Sequence, residues 1–194
     1  MRDFVIWANK PLQPGFSLND LPGAGRADLL ARCVNAGLWL SHGVRDDAAV
    51  HISVESNGER LVISFFGGKI RRVSPDERNI GSWLKMALEC LAENKERVQE
   101  GVTVKKKDFL TFIKSFAGRD IIILKEDGTD IRSTTLKNPV FILGDHLDLP
   151  EDIMAEIKKL KVKEVSVGSV SLLASHAITV ANNEMDRLDG PEGT

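Results

Sequence analysis

Apolar positions along the chain alternate between short runs and longer amphipathic stretches. Phe4 to Ala8 (FVIWA) is apolar, β-branched and aromatic, and predicts a buried strand. Pro11 to Gly25 carries three prolines and three glycines, too irregular for helix or strand, and predicts a long loop of the kind that is often functional. Leu29, Leu30, Cys33, Val34 and Leu38 recur at three- and four-residue spacing, which predicts a helix from about Arg26 to Ser41, with Gly43 as its C′ glycine. Val50, Ile52 and Val54 alternate with polar residues, Asn57-Gly58 supplies a turn, and Leu61 to Phe66 returns as the second arm of a hairpin. Ile70 to Val73 reads as one more strand. Ser74-Pro75-Asp76-Glu77 then predicts a helix start, with serine at the N-cap, proline at N1 and glutamate at N3. Ile80, Trp83, Leu84, Ala87, Leu88 and Leu91 share one face of that helix.

The second half repeats the theme. Residues 94–107 are highly charged and predicted to be exposed, ending in Lys105-Lys106-Lys107. Asp108 can cap a short helix bearing Phe109, Leu110, Phe112, Ile113 and Phe116. Ile121 to Leu124 and Pro139 to Leu143 are buried strands, with Asp127-Gly128 as a turn between them. A helix from about Pro150 to Leu160, a strand from Glu164 to Val167, a helix from Ala174 to Arg187 and a frayed tail from Leu188 to Thr194 complete the pattern. Strands alternating with helices give an α/β fold with a mostly parallel sheet.

Composition bounds the function. A chain of 194 residues with 42% hydrophobic and 28% charged residues is ordinary globular protein. Its net charge of −2 excludes a polybasic, histone-like protein but not a local basic patch. Up to Arg97 there are 13 basic and 12 acidic residues; the remainder has 13 and 16, so the acid excess lies in the C-terminal half. Cys33 and Cys90 are too few and too far apart for a disulfide framework or a zinc site, and predict reduced thiols. No apolar run reaches the ~18 residues of a membrane span, and Met1-Arg2-Asp3 opens no signal peptide. A cytoplasmic protein without metal or membrane partners is expected.

Three places offer chemistry. Gly144-Asp145-His146 follows a buried strand, and ligands of parallel sheets bind beyond the carboxyl ends of strands. Val167-Gly168-Ser169-Val170-Ser171-Leu172 is a second such end, whose amides can hold an anion or the polar edge of a base. Lys69, Arg71, Arg72 and Arg78 form a basic stretch in which Arg78 can join Arg71 or Arg72 at phosphates, while Arg26, Asp28 and Arg45 flank the first helix. Plain turns and solvated charges are the structural alternative in each case. No GxGxxG, GxxxxGKS, HExxH or GxSxG motif is present, so nucleotide triphosphate, zinc-hydrolytic and serine-nucleophile chemistry has no support.

Six blocks carry a resemblance: WANK at Trp7 to Lys10, RADLLARC at Arg26 to Cys33 and SHGVRDD at Ser41 to Asp47, followed by VSPDERNI at Val73 to Ile80, NPVFILGDH at Asn138 to His146 and SLLASHAITVANNEMD at Ser171 to Asp186. The chain resembles the TrmY family, the archaeal-type tRNA pseudouridine-54 N1-methyltransferases of the SPOUT superfamily; residues 94–118 match least well. The resemblance implies a single SPOUT domain over residues 1–194 with a deep trefoil knot at about 120–187, S-adenosylmethionine as cofactor, and a homodimer acting on tRNA. It implies a cofactor site built from Leu124, Gly144, the loop Val167, Gly168, Ser169, Val170, Ser171 and Leu172, and from Ala177, where relatives often carry cysteine. Asp28 and Asp76, in matching motifs at helix starts, are the candidate bases. Arg26, Arg45, Arg72 and Arg78 are the candidate RNA contacts, and the absence of tyrosine leaves stacking to phenylalanine, tryptophan, histidine or arginine. A pseudouridine methyltransferase of ribosomal RNA, and a knotted binding protein without turnover, are the rival readings.

Overall fold

Phe4, Val5, Ile6 and Trp7 point alternately to opposite faces of one strand, and all four are apolar, so that strand has to be covered twice. The computed structural model, which describes residues 1–189, shows how. In chain order the elements are β1 (Arg2–Trp7), α1 (Ala27–Leu38), β2 (Trp39–Leu40), β3 (Gly43–Val44), β4 (Ala48–Ser56), β5 (Glu59–Phe66), α2 (Glu77–Ala92), β6 (Arg97–Gln99) and β7 (Val102–Lys106). They continue with α3 (Phe109–Lys114), β8 (Ile121–Asp130), a 3₁₀ turn at Ile131–Ser133, β9 (Val140–Gly144), α4 (Glu151–Lys158), β10 (Val162–Ser166) and α5 (Ala174–Asp189).

Eight strands form one sheet in the order β10-β8-β9-β1-β4-β5-β7-β6. From β10 to β4 all neighbours run parallel, and β5, β7 and β6 continue antiparallel. Phe4 and Ile6 face a core built with Leu30, Val34, Leu38, Ile80, Leu84 and Ile178, from α1, α2 and α5. Val5 and Trp7 face a second core with Phe109, Ile113 and Ile157, from α3 and α4. Each fully buried side chain of this size stabilises the fold by about 1.5–3 kcal/mol. The expected α/β class with a mostly parallel, helix-flanked sheet is the one observed.

Several local expectations are corrected. Gly43 lies in β3 rather than at a helix C′ position, because α1 stops at Leu38 and the chain turns straight into a short hairpin. Ile70 to Val73 is not a strand; Arg72 takes a left-handed φ of 59°, which breaks any extended run. The N-cap of α2 is Asp76, not Ser74: its carboxylate accepts the Asn79 amide at 2.7 Å, while the Asn79 side chain accepts the Ser74 amide at 2.8 Å. Aspartate and serine are both good caps, and spacing alone did not separate them. The charged segment 94–107 is partly sheet, since Val102 and Val104 are buried and β6–β7 extend the edge. Asp127-Gly128 lies inside β8, where a Cβ on Gly128 would come within 2.7 Å of the Val165 backbone. The cap at Asp108 forms as expected, accepting the Thr111 amide at 2.8 Å. The helix α5 runs on through Asp189, past the expected fraying point at Leu188; the rest of that tail lies outside the described residues.

Candidate cofactor and substrate site

Parallel pairing aligns the carboxyl ends of β1 and β9: Ile6 is beside Leu143, and Trp7 beside Gly144. The two connections leaving that edge are tied together. The Asn9 backbone amide donates to Asp145 Oδ2 at 3.1 Å and its side chain to Oδ1 at 2.8 Å. The same carboxylate, fully buried as a side chain, also accepts the His146 amide at 2.6 Å. Asp145 therefore holds the turn shut. Gly144 is needed for the same reason, since a Cβ there would come within 1.9 Å of the Leu147 carbonyl oxygen. A close approach was expected at Gly144; the nearest group making it is the chain itself.

The strand β8 leaves the sheet just before this edge. Ile123 pairs with Glu164, but the next pair is Thr129 with Val165, so Leu124 to Gly128 bulge out. Leu124 packs, half-buried, against the larger core. The Glu126 carboxyl is held below its usual range first by a backbone amide and then by the Ser171 hydroxyl, which brings this bulge against the loop after β10. In that loop the Ser166 hydroxyl donates to the Gly168 carbonyl at 2.8 Å and accepts the Gly168 amide at 3.1 Å. Gly168 adopts φ 153°, a conformation L side chains rarely take, with open space beside it. The backbone amides from Ser169 to Leu173 make no hydrogen bond among the described residues. Val170 is 70% exposed and Leu172 39%, so apolar surface lies beside unspent donors. The three loops expected to hold a cofactor thus sit along one sheet edge. Ala177 differs: it is buried, and its amide is spent on the Leu173 carbonyl at 2.9 Å.

The first turn of α1 carries a charged cluster of its own. Asp28 is buried, and Arg26 grips it with Nε and Nη2, each at 3.0 Å. Arg32 adds a third bond at 3.2 Å and reaches Glu77 of α2 at 2.8 Å. The Arg26 bond outweighs burial and holds the Asp28 carboxyl below the ordinary range. Arg26 is left-handed at φ 63°, and after Asp28 the Asp145 charge adds to holding its guanidinium protonated. Asp76 is exposed, and its oxygens take the Ser74 hydroxyl at 2.5 Å and the Asn79 amide, so its carboxyl too is held low.

The four expected RNA arginines are dispersed. Arg26 is bound to Asp28. Arg78 is exposed and donates to Asn19 at 2.7 Å, pinning the long loop to α2. Arg72 is exposed and makes no hydrogen bond or ion pair among the described residues. Arg45 lies at the opposite, amino-terminal edge of the parallel strands, bidentate to Asp186 at 2.7 and 2.6 Å with only 12% of its side chain exposed. Sequence reasoning gave no site role to Asn9, Arg32, Glu77 or Glu126, although the first three lie in the WANK, RADLLARC and VSPDERNI blocks. No group of three or more His, Cys, Asp or Glu among the described residues is placed to hold a metal, and no helix there is long and apolar enough to cross a membrane.

A parallel α/β sheet whose ligand-facing turns gather at the ends of β1, β8, β9 and β10 is the architecture of a cofactor-binding domain. The family described as "Putative SAM-dependent RNA methyltransferase" matches residues 1–189, and the chain belongs to that family. It is 43% identical over 199 residues to the tRNA (pseudouridine(54)-N(1))-methyltransferase of Methanosarcina acetivorans, covering 100% of this chain and 94% of the relative. It is 45% identical over 195 residues to the enzyme of the same name from Methanococcoides burtonii, covering 96% of each. Its fold is similar to that of Archaeoglobus fulgidus Nep1, solved with S-adenosylhomocysteine, with a TM-score of 0.66 at 16% identity over 97% of this chain and 98% of that one.

Proposed function

We propose that this chain transfers a methyl group from S-adenosylmethionine to N1 of pseudouridine 54 in tRNA, as a cytoplasmic homodimer of one knotted domain. The observation that carries the reading is the gathering of three turns along one sheet edge, in a chain 43% and 45% identical to relatives named for this reaction. The knot, about residues 120–187, and the dimer rest on the family resemblance.

The residues present fit the cofactor. Unspent amides from Ser169 to Leu173 can meet polar edges, Val170, Leu172 and Leu124 offer apolar surface, and Gly168 leaves room for a close approach. Val167 and Ser171 close the loop, the latter against Glu126. Bound there, S-adenosylmethionine supplies a methyl group made electrophilic by its sulfonium sulfur.

The chain's own task is to present N1 of the base in line with that methyl and to take its proton. As N1 bonds to the methyl carbon, the carbon–sulfur bond breaks and its electron pair stays on sulfur. Alignment contributes on the order of 7–11 kcal/mol in well-oriented systems, against ~10²–10⁴-fold from a general base. Both candidate bases are held low, so each accepts a proton weakly, and positioning carries most of the rate. Asp28, buried and held in place by Arg26 and Arg32, is the first candidate, and exposed Asp76 is the alternative. Arg26, Arg72 and Arg78 are the phosphate contacts, while Arg45, paired and mostly buried, gives the smallest change in binding on replacement.

Nucleoside mass spectrometry of tRNA incubated with the protein and S-adenosylmethionine tests the reading. N1-methylpseudouridine at position 54 is expected; product only in ribosomal RNA, or cofactor binding without product, overturns it. Asp28→Asn is expected to slow turnover by ~10²-fold or more. Wild-type turnover in both Asp28→Asn and Asp76→Asn removes the base assignment.

A further inference from the structure

A second basic feature lies away from the cofactor turns. The segment after β5 and the hairpin β6–β7 border two adjoining depressions that share Gln99 and Glu100. One is flanked by Arg71 and Arg72, the other by Lys69, Arg97 and Lys105 with Glu96 and Thr103, and together they form one open groove. Five cations face two carboxylates, and the Glu96–Lys105 pair at 3.3 Å leaves Lys69, Arg71, Arg72 and Arg97 against Glu100. Lys69, Arg72 and Arg97 make no ion pair among the described residues, in a chain whose net charge is −2.

The groove is firmly built. The Phe66 amide donates to the Gly101 carbonyl at 2.9 Å, and the Gln99 side chain donates to the Arg71 carbonyl at 2.6 Å, so both walls are joined. Gly101, at φ 80°, lets the hairpin turn sit on the other wall, because a Cβ there would be 2.4 Å from the Ile70 amide nitrogen. Arg72 is held left-handed at φ 59°, a conformation uncommon for a side chain of its size, with its head left to solvent. Strand alternation sends Val102 and Val104 into the core and Thr103 and Lys105 to the opposite face, where Arg97 pairs beside Thr103. Residues two apart on a strand are about 7 Å from each other, and side chains at such a spacing can follow a chain of phosphates.

We propose that this groove is a second RNA-backbone contact, holding the phosphates of the substrate RNA away from the base being methylated. Four sheet spacings separate β9 from β7, and Phe66 and Gly101 lie at the amino-terminal end of the parallel strands, so the groove is roughly 25 Å from the β9 turn. Cations that neutralise backbone phosphates meet the same charge at every nucleotide, so such a contact strengthens binding without choosing sequence. This inference rests on the RNA-methyltransferase reading above.

The test compares Lys69→Ala/Arg97→Ala and, separately, Arg97→Ala with the wild-type protein, using full-length tRNA and an isolated T-arm stem-loop across a salt series. The dissociation constant for tRNA is expected to rise several-fold in the double variant, and the slope of log K against log salt to become shallower by about one for each phosphate that the variant no longer neutralises. Binding of the stem-loop, and of S-adenosylmethionine by calorimetry, is expected to stay at the wild-type value. An unchanged tRNA affinity and slope overturns the groove, and so does an equal loss on the stem-loop, which would place the contact at the target itself. If the wild-type protein makes no methylated nucleoside, the functional reading fails, and the binding series still decides whether the groove holds RNA.

Discussion

The two edges of the parallel sheet are built on opposite principles. At the carboxyl edge, turns are shaped by glycines and by one shared carboxylate, and they leave amides and apolar side chains unspent. At the amino edge charge is consumed. Arg2, with 4% of its side chain exposed, reaches Asp186 and Asp47, each at 2.8 Å, and Arg45 closes on Asp186 from outside. Beside them Asp3 lies between His51 Nε2 at 2.8 Å and Arg119 at 2.5 Å, and His51 Nδ1 meets the Ser64 hydroxyl. A buried ion is tolerated only when paired, so this edge locks the termini of β1, β4 and α5 together. One edge spends its charges on one another, and the other leaves its amides unspent.

That contrast can be broken at each edge. The largest effect is expected at the amino edge. Arg2→Ala removes a buried guanidinium from two carboxylates that are each about two-fifths exposed, and Asp186 keeps Arg45, so the loss of charge-assisted bonds should cost about 2–3 kcal/mol, read from denaturant unfolding. A loss of under about 1 kcal/mol, the range of a surface pair, means the network is not a lock. Next, Gly144→Ala forces a methyl against the Leu147 carbonyl; overpacking of this kind costs about 1–3 kcal/mol. Here the cofactor affinity should fall with stability, and intact affinity by calorimetry would show that the turn does not shape the site.

The smallest effect is on acidification. Burial raises the Asp3 pKa, but the His51 and Arg119 interactions outweigh it and leave the pKa below its ordinary value of 3.8. A depressed carboxylate stabilises the fold fully above that ordinary value and loses its contribution as pH falls through the lower folded one. Asp3→Asn should therefore be less stable than wild type at about pH 6, and the difference should shrink below about pH 4. A difference that stays constant down to about pH 2 would assign the effect to shape instead of charge.

Much of the fold was readable from side-chain periodicity. The doubled apolar pattern of Phe4 to Trp7 demanded two covering layers, and the spacing of Leu30, Val34 and Leu38 gave α1 its buried stripe. The edge hairpin β6–β7 was hidden because its polar members outnumber Val102 and Val104, and a strand covered on one face resembles a charged loop. Gly144 and Gly168 were legible as special positions, yet not why: one is crowded by its own chain, the other left open. Asp28 and Asp76 looked alike as acids at helix starts. Only packing distinguishes them, by burying one between two guanidinium groups and spending the other on a cap.

The sequence by itself determined the sheet's class, its two-sided burial and the family blocks, because periodicity and short motifs are local properties. Tertiary structure alone decided which charges are spent on partners within the chain. Arg45 and Arg72 carry the same side chain in equally plausible contexts, but one closes on Asp186, more than a hundred residues away, and the other meets only solvent. Electrostatic partners depend on distance in space, and the order of residues along the chain does not contain it.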